Sequence, residues 1–228
     1  MRALGRPRLH LRETDSTNER ARALAAAGVP HGTLVTAGRQ TAGRGRQGRA
    51  WADQPGRALL LSVVVRQLDP LLSLRAGLAV ADVAGAQARV KWPNDVLLDG
   101  RKVAGILAEA RPREGWAILG IGINVALRPD DFPPELRDRA GTLGRTPDDV
   151  PAVLAVVLAA LERRLAQPAD RLLDAWRARD ALAGRLVTWE GGRGTADGID
   201  EDGRLRVRLA GGGTTALDAG EVHLGVPL

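Results

Sequence analysis

Apolar residues recur with two different periods along this chain. Alternation over residues 8–12 predicts an opening strand, and residues 33–37 a second one. Residues 58–66 and 116–126 are unbroken apolar runs, which read as strands buried on both faces. Helical spacing is found after the polar segment 15–19, ending at Gly28, and over 71–88, 150–165 and 170–182, with Pro168 separating the last two. Residues 96–98 and 102–108 are strand-like and flank Asp99-Gly100, a dipeptide suited to a tight hairpin turn. Residues 89–92 lead into that hairpin, and residues 129–145 form an irregular connection.

At Gly184 the pattern changes. Short β segments at 186–190, 194–199, 205–209, 214–217 and 222–224 alternate with turns such as Asp202-Gly203. So many short strands in so few residues predict a small barrel. The expected organisation is a mixed α/β domain over residues 1–183, then a β domain over 184–228. A chain of 228 residues can bury a substantial core.

Two stretches do not fit a packing pattern. Residues 38–57, GRQTAGRGRQGRAWADQPGR, carry Gly43, Gly45 and Gly48 interleaved with Arg44, Arg46 and Arg49, without apolar periodicity. Glycine frees a backbone to wrap a ligand, and arginine supplies charge for an anion. No GK[ST] follows, so this is not a Walker A loop. A disordered basic linker or a nucleic-acid-binding segment explains the same composition. Trp51 is placed to close over a flat ring or to join the core.

The other stretch is KWPNDVLLDGRKVAGILAE, residues 91–109. Of 33 basic residues only Lys91 and Lys102 are lysines, and both lie here. A compact ammonium suits a phosphate or carboxylate oxygen in a confined space where a planar guanidinium does not. Asn94 and Asp95 stand at the hairpin mouth, and Gly105 allows close approach to the returning strand. A surface hairpin with solvated charges is the plainer alternative. Asparagine is nearly as scarce, at positions 18, 94 and 124. Asn124 lies in an apolar run, so it either bonds locally or faces a ligand. Ser16 and Glu19 have the spacing of a helix capping box, beside free N–H groups at a helix start.

With no cysteine, disulfides and thiolate metal sites are excluded. No apolar run is long enough to span a bilayer, and the first sixteen residues are too charged for a signal peptide. A soluble cytoplasmic protein is expected. The net charge of +6 is almost wholly arginine and follows a general arginine, alanine and glycine richness, so it argues only weakly for nucleic acid.

Five segments in order resemble the biotin protein ligase family: DSTNE at 15–19, RQTAGRGRQGRAW at 39–51, KWPND at 91–95, GRKVAGILAE at 100–109 and GIGIN at 120–124. GIDEDGRLRV at 198–207 and GEVHL at 220–224 are similar to the family's C-terminal SH3-like barrel. The resemblance implies an α/β (α+β) fold, a mixed sheet backed by helices, akin to class II aminoacyl-tRNA synthetases. It implies an enzyme that adenylates biotin with ATP and Mg²⁺, then passes biotin to a lysine of a biotin carboxyl carrier protein. Carried over, Ser16, Thr17, Asn18 and Gln40 hold the biotin head group. Arg44, Gly45 and Arg46 form a closing loop, and Gly105 lies against biotin. Arg49 and Trp51 enclose the nucleotide, and Asn124 faces it. Lys91, Asn94 and Asp95 serve phosphates and metal, with Asp95 the metal ligand. Lys102 lies between the biotin carboxylate and the α-phosphate, and Lys102 and Arg46 are the catalytic candidates.

The chain departs from the family's pattern at Gln47, commonly Arg, and at Gly225, where some members carry Arg. The first motif begins too early for an N-terminal DNA-binding domain, so no operator binding is expected. Family members can form homodimers through the sheet edge. Two rivals stand: a lipoate or octanoate ligase or transferase of related fold, and a basic nucleic-acid-binding module.

Overall fold

The computed structural model describes residues 3–49, 51, 54–218 and 222–224. The first part of the chain runs β1 (Arg8–Leu11), α1 (Thr17–Ala26), β2 (Leu34–Ala37), β3 (Ala58–Val65) and α2 (Leu72–Ala84). It continues through β4 (Arg89–Lys91), β5 (Asp95–Leu98), β6 (Arg101–Arg111), β7 (Trp116–Asn124), α3 (Val150–Ala166) and α4 (Ala169–Arg177). Seven strands make one sheet in the order β1-β2-β3-β7-β6-β5-β4. The β1–β2 pair is parallel and the others antiparallel, which is the mixed sheet expected.

The two faces of this sheet differ because side chains alternate along each strand. On one face Leu59, Leu61, Val63, Leu119, Ile121, Ile123 and Ile106 pack against Leu78 of α2 and Val157 and Leu161 of α3. Each such buried side chain contributes roughly 1.5–3 kcal/mol. The register places Leu60, Ser62 and Val64 on the other face, opposite Gly122, Gly120 and Ile118. Gly105, Leu107 and Glu109 of β6 continue that face, as do Asp95 and Lys91. Helix α1 covers one end, where Ala21 and Ala25 meet Val35, Val64 and Ile118. The remainder of the face is the floor of the candidate site.

The organising hairpin forms as expected. Asp99 and Gly100 both adopt positive φ, 51° and 76°, the conformation a two-residue type I′ turn requires. Helix α2 ends four residues earlier than its periodicity predicts, because Gly85 at φ 111° breaks it. The segment after it then pairs as β4. Helix α4 likewise stops at Arg177; beyond it Asp180 turns the chain by accepting the Leu182 N–H at 2.8 Å.

The C-terminal part contains β8 (Leu186–Trp189), β9 (Gly192–Ile199), β10 (Leu205–Leu209), β11 (Thr214–Leu217) and β12 (His223–Leu224). They form an antiparallel sheet in the order β11-β10-β9-β8-β12, consistent with an SH3-like unit. Gly225 lies outside the described residues, as does part of the 220–224 motif. Val187, Ala196, Leu205 and Val207 join the same buried cluster as the large sheet. Trp92, next to Lys91, is buried and its indole N–H donates to the Gly203 carbonyl at 3.0 Å. No helix among the described residues is long and apolar enough to cross a membrane.

Candidate active site

The site lies on the glycine-lined face, between α1, the arginine-glycine loop and the β4–β5–β6 hairpins. Its floor is glycine for steric reasons. A Cβ on Gly122 would come 2.6 Å from the Trp51 indole, and one on Gly105 would come 2.9 Å from the same ring. A Cβ on Gly120 would sit 2.2 Å from Asn18 Oδ1. Real Cβ contacts are not that short, so side chains from two other segments use the space the glycines leave.

Near α1 the site is a buried polar network. Gln40 Oε1 accepts the Thr17 backbone N–H at 2.7 Å and lies 3.0 Å from Thr17 Oγ1. Ser62 Oγ is 2.8 Å from Thr17 Oγ1 and 2.6 Å from Asn18 Oδ1. Asn18 Nδ2 donates to Glu109 Oε2 at 2.7 Å, and Arg22 pairs with the other Glu109 oxygen at 2.8 Å. Ser16, Thr17, Asn18 and Ser62 are all buried. The expected capping box does not form: Ser16 makes no side-chain cap bond. Its backbone N–H donates to Asp15 instead, a carboxylate that Arg20 holds well below the ordinary range. Glu19 turns outward to pair with Arg22 and, at 2.8 Å, with Arg44.

The arginine-glycine loop folds over this face. Residues Arg46–Gly48 make one tight 3-10 turn with Gln47 at φ 55°. The loop is closed by hydrogen bonds from Gly45 N to Arg49 O at 2.7 Å and Trp51 N to Gly43 O at 2.9 Å. Trp51 lies on Gly105 and Gly122, its indole N–H buried without a partner. Lys102 Nζ is 5.6 Å from the centre of that ring, a cation–π contact.

Toward the hairpins the chemistry changes to cations. Lys102 Nζ pairs with Asp95 at 2.7 Å. Burial pushes the Lys91 ammonium below the usual lysine range; Asp95 opposes this, while Lys102, Arg49 and Arg139 add to it. Burial also lowers Arg46, against the pull of Asp95. Lys102, Lys91 and Arg46 thus interact with Asp95, and Arg49 and Arg139 stand near Lys91. Asn94 holds the frame by donating Nδ2 to the Ile106 carbonyl at 2.8 Å. Asn124 Nδ2 donates to Gly141 O at 2.8 Å, leaving its buried Oδ1 without a partner. Of the two alternatives for Asn124, the structure shows the local bond. Asp95 has the hard oxygen that a magnesium ion shared with phosphates needs. Among the described residues no group of three acidic, histidine or cysteine side chains gathers to hold an ion.

Of the expected positions, Thr17, Asn18 and Gln40 share the polar network, Trp51 lies over Gly105, and Lys91, Lys102 and Arg46 stand near Asp95, whereas Ser16 makes no side-chain cap bond and Arg44 pairs with Glu19. Four contributors carried no signal in the sequence. Ser62 is one polar atom in an apolar strand; Glu109 and Arg22 are ordinary charges; Arg139 lies in the irregular connection. They meet the site only through space, Arg139 because its carbonyl accepts the Lys102 N–H at 2.7 Å.

Residues 11–125 match the sequence model of the biotin/lipoate A/B protein ligase family. The chain is 40% identical to the biotin--[acetyl-CoA-carboxylase] ligase of Mycobacterium tuberculosis, over 93% of this chain and 87% of the relative. It is 42% identical to the bifunctional ligase/repressor BirA of Bacillus subtilis over 65% of this chain, and spans about half of that relative's length (50%). The fold matches the biotin protein ligase from Aquifex aeolicus solved with biotin and ATP, with a TM-score of 0.80 and 32% identity, covering 96% of this chain and 99% of that one.

Proposed function

The chain belongs to the biotin/lipoate A/B protein ligase family, and from that premise we propose that it is a biotin protein ligase. In this reading it joins biotin to ATP as biotinyl-5′-AMP, releasing pyrophosphate, and transfers the biotinyl group to a lysine of a biotin carboxyl carrier protein of a carboxylase. The observation that carries the reading is the pairing, on one sheet face, of a buried hydrogen-bonding pocket with a cation cluster around Asp95.

A carboxylate and an α-phosphate repel each other, so their reaction needs cations fixed between and around them. Lys102 is suited to that position, and Lys91, Arg46, Arg49 and Arg139 to the phosphates. A carboxylate oxygen of biotin attacks the α-phosphorus and the bond to the β-phosphate oxygen breaks. The acceptor amine then attacks the acyl carbon and AMP leaves. Asp95, with Asn94 holding its hairpin, would take Mg²⁺, which neutralises phosphate charge when bound. The arginine-glycine loop and Trp51 shield the mixed anhydride from water. Asn124 Oδ1 is an acceptor for a nucleotide N–H. The division at residues 183/184 and a sheet-edge homodimer belong to the same proposal; sedimentation with and without biotin plus ATP tests the latter.

The test is biotin-dependent exchange of labelled pyrophosphate into ATP, run beside lipoate and octanoate. Exchange with biotin alone is expected. Exchange with lipoate or octanoate instead would overturn the substrate, and no exchange with any acid would overturn the ligase reading.

A further inference from the structure

The arginine-glycine loop has little packing to hold it over the groove. Residues 43–49, GRGRQGR, contain no apolar side chain, and the bonds from Gly45 N to Arg49 O and from Trp51 N to Gly43 O are internal to the loop. A segment that buries so little apolar surface opens readily unless charged groups tie it to the body of the protein. Two of its arginines find carboxylates at opposite ends of the site. Arg46 is attracted by Asp95 at the hairpin end. Arg44 pairs with Glu19 of α1 at 2.8 Å. The first tie lies where phosphates are proposed to bind, so a bound nucleotide competes with it. The second is made on the helix, at the other end.

Glu19 is itself held in place. Its two oxygens serve different arginines, Oε1 taking Arg44 and Oε2 taking Arg22. Arg22 in turn reaches Glu109 of β6 at 2.8 Å, and the second Glu109 oxygen accepts the Asn18 amide N–H at 2.7 Å. Charge therefore alternates from loop to sheet through Arg44, Glu19, Arg22 and Glu109, each carboxylate shared between two donors. An ion pair at a surface is weak chiefly because two free side chains must be ordered to make it. Here the carboxylate is already ordered by Arg22, so only Arg44 has to be. We propose that Glu19 is a positioning residue: through Arg44 it holds the arginine-glycine loop over the groove and slows escape of the acyl adenylate. The inference rests on the biotin ligase reading and deepens it, because a mixed anhydride that leaves a closed site before the acceptor arrives is open to water.

The experiment forms labelled biotinyl-5′-AMP on the enzyme from biotin and MgATP and follows its release after a chase with unlabelled adenylate. It compares the wild type, Glu19→Gln, Arg44→Gln and the double variant. Glutamine keeps the size of glutamate and removes its charge, and both positions are partly exposed, so the fold is not at stake. Each single variant is expected to release the adenylate about two- to fivefold faster, the range of a partly exposed ion pair. The double variant should be no faster than Arg44→Gln alone, because the two changes break one contact. In about 1 M KCl, where the screening length is ~3 Å, the ratio of Glu19→Gln to wild type should fall toward one. A substitution that merely loosened α1 would keep its effect in salt. Unchanged release in the single variants, additive effects in the double variant, or a ratio that salt leaves alone would overturn the inference. A wild type that forms no adenylate would overturn the ligase reading instead.

Discussion

The two ends of the groove solve opposite electrostatic problems. Near α1, Thr17, Asn18, Ser62, Gln40, Glu109 and Arg22 satisfy one another through short hydrogen bonds. At the hairpin end Lys91, Lys102 and Arg46 interact with Asp95, Arg49 and Arg139 stand near Lys91, and burial disfavours the charge on Lys91 and Arg46. The first end is largely hydrogen-bonded as folded. The second carries more cations than carboxylates, which fits the phosphate-binding role proposed for it. Preorganisation means internal satisfaction at one end and stored repulsion at the other.

Four substitutions break or sharpen this contrast. The largest effect is expected at the cation end: Lys102→Ala should lose about 2.7–4 kcal/mol of transition-state stabilisation, read as pyrophosphate exchange, by analogy with other preorganised donors. A fully active variant would remove Lys102 from the chemistry. Next, Gly120→Ala forces a Cβ against Asn18 and should destabilise the fold by about 1–3 kcal/mol in denaturant unfolding, through overpacking of a satisfied network.

Asp180 provides a control, a half-buried carboxylate away from the site with one oxygen unpartnered. Burial raises it from 3.8 to about 6. Below the unfolded value both states are protonated and nothing is lost. As pH rises through the interval the folded state comes to hold a disfavoured charge, and the penalty is complete above the folded value. Asp180→Asn should therefore stabilise the protein by about 1–2 kcal/mol at pH 7, allowing for partial exposure, and make no difference near pH 3. A flat difference between the two proteins from pH 3 to 7 would refute that assignment.

The smallest effect is the most diagnostic of the contrast. The Lys91 ammonium is depressed, so the folded state is penalised wherever the unfolded lysine is protonated and folded Lys91 must carry charge; the penalty fades as pH rises toward the unfolded lysine value. Lys91→Met should raise the thermal midpoint at pH 7 by roughly 1–3 °C while lowering exchange activity. A lower midpoint would mean that Lys91 is structural and the cation end is not strained.

Much of this was legible beforehand where local chemistry dictates the outcome. Asp99-Gly100 can do little but turn, and the unbroken run at 58–66 can only be a buried strand. The rarity of lysine pointed to the hairpin end of the site because the arginine bias elsewhere made two exceptions visible. Reading failed where the partner is remote in sequence. Ser16 and Glu19 have capping spacing, but Arg22 and Arg44 compete for Glu19 and win. Ser62 is separated from Thr17 by 45 positions and Glu109 from Asn18 by 91. No periodicity connects them, and only the register of β3, β7 and β6 brings them onto one face.

The confinement of both lysines to the groove has one more consequence. The acyl adenylate of the proposed reaction is an amine-acylating reagent, and any molecule that escapes will modify the nearest exposed amines. This chain offers few side-chain targets of that kind: all but two of its basic side chains are arginines, and of its two lysines Lys102 is tied to Asp95. On the proposed function, few amines of the chain itself would compete with the acceptor lysine for the adenylate.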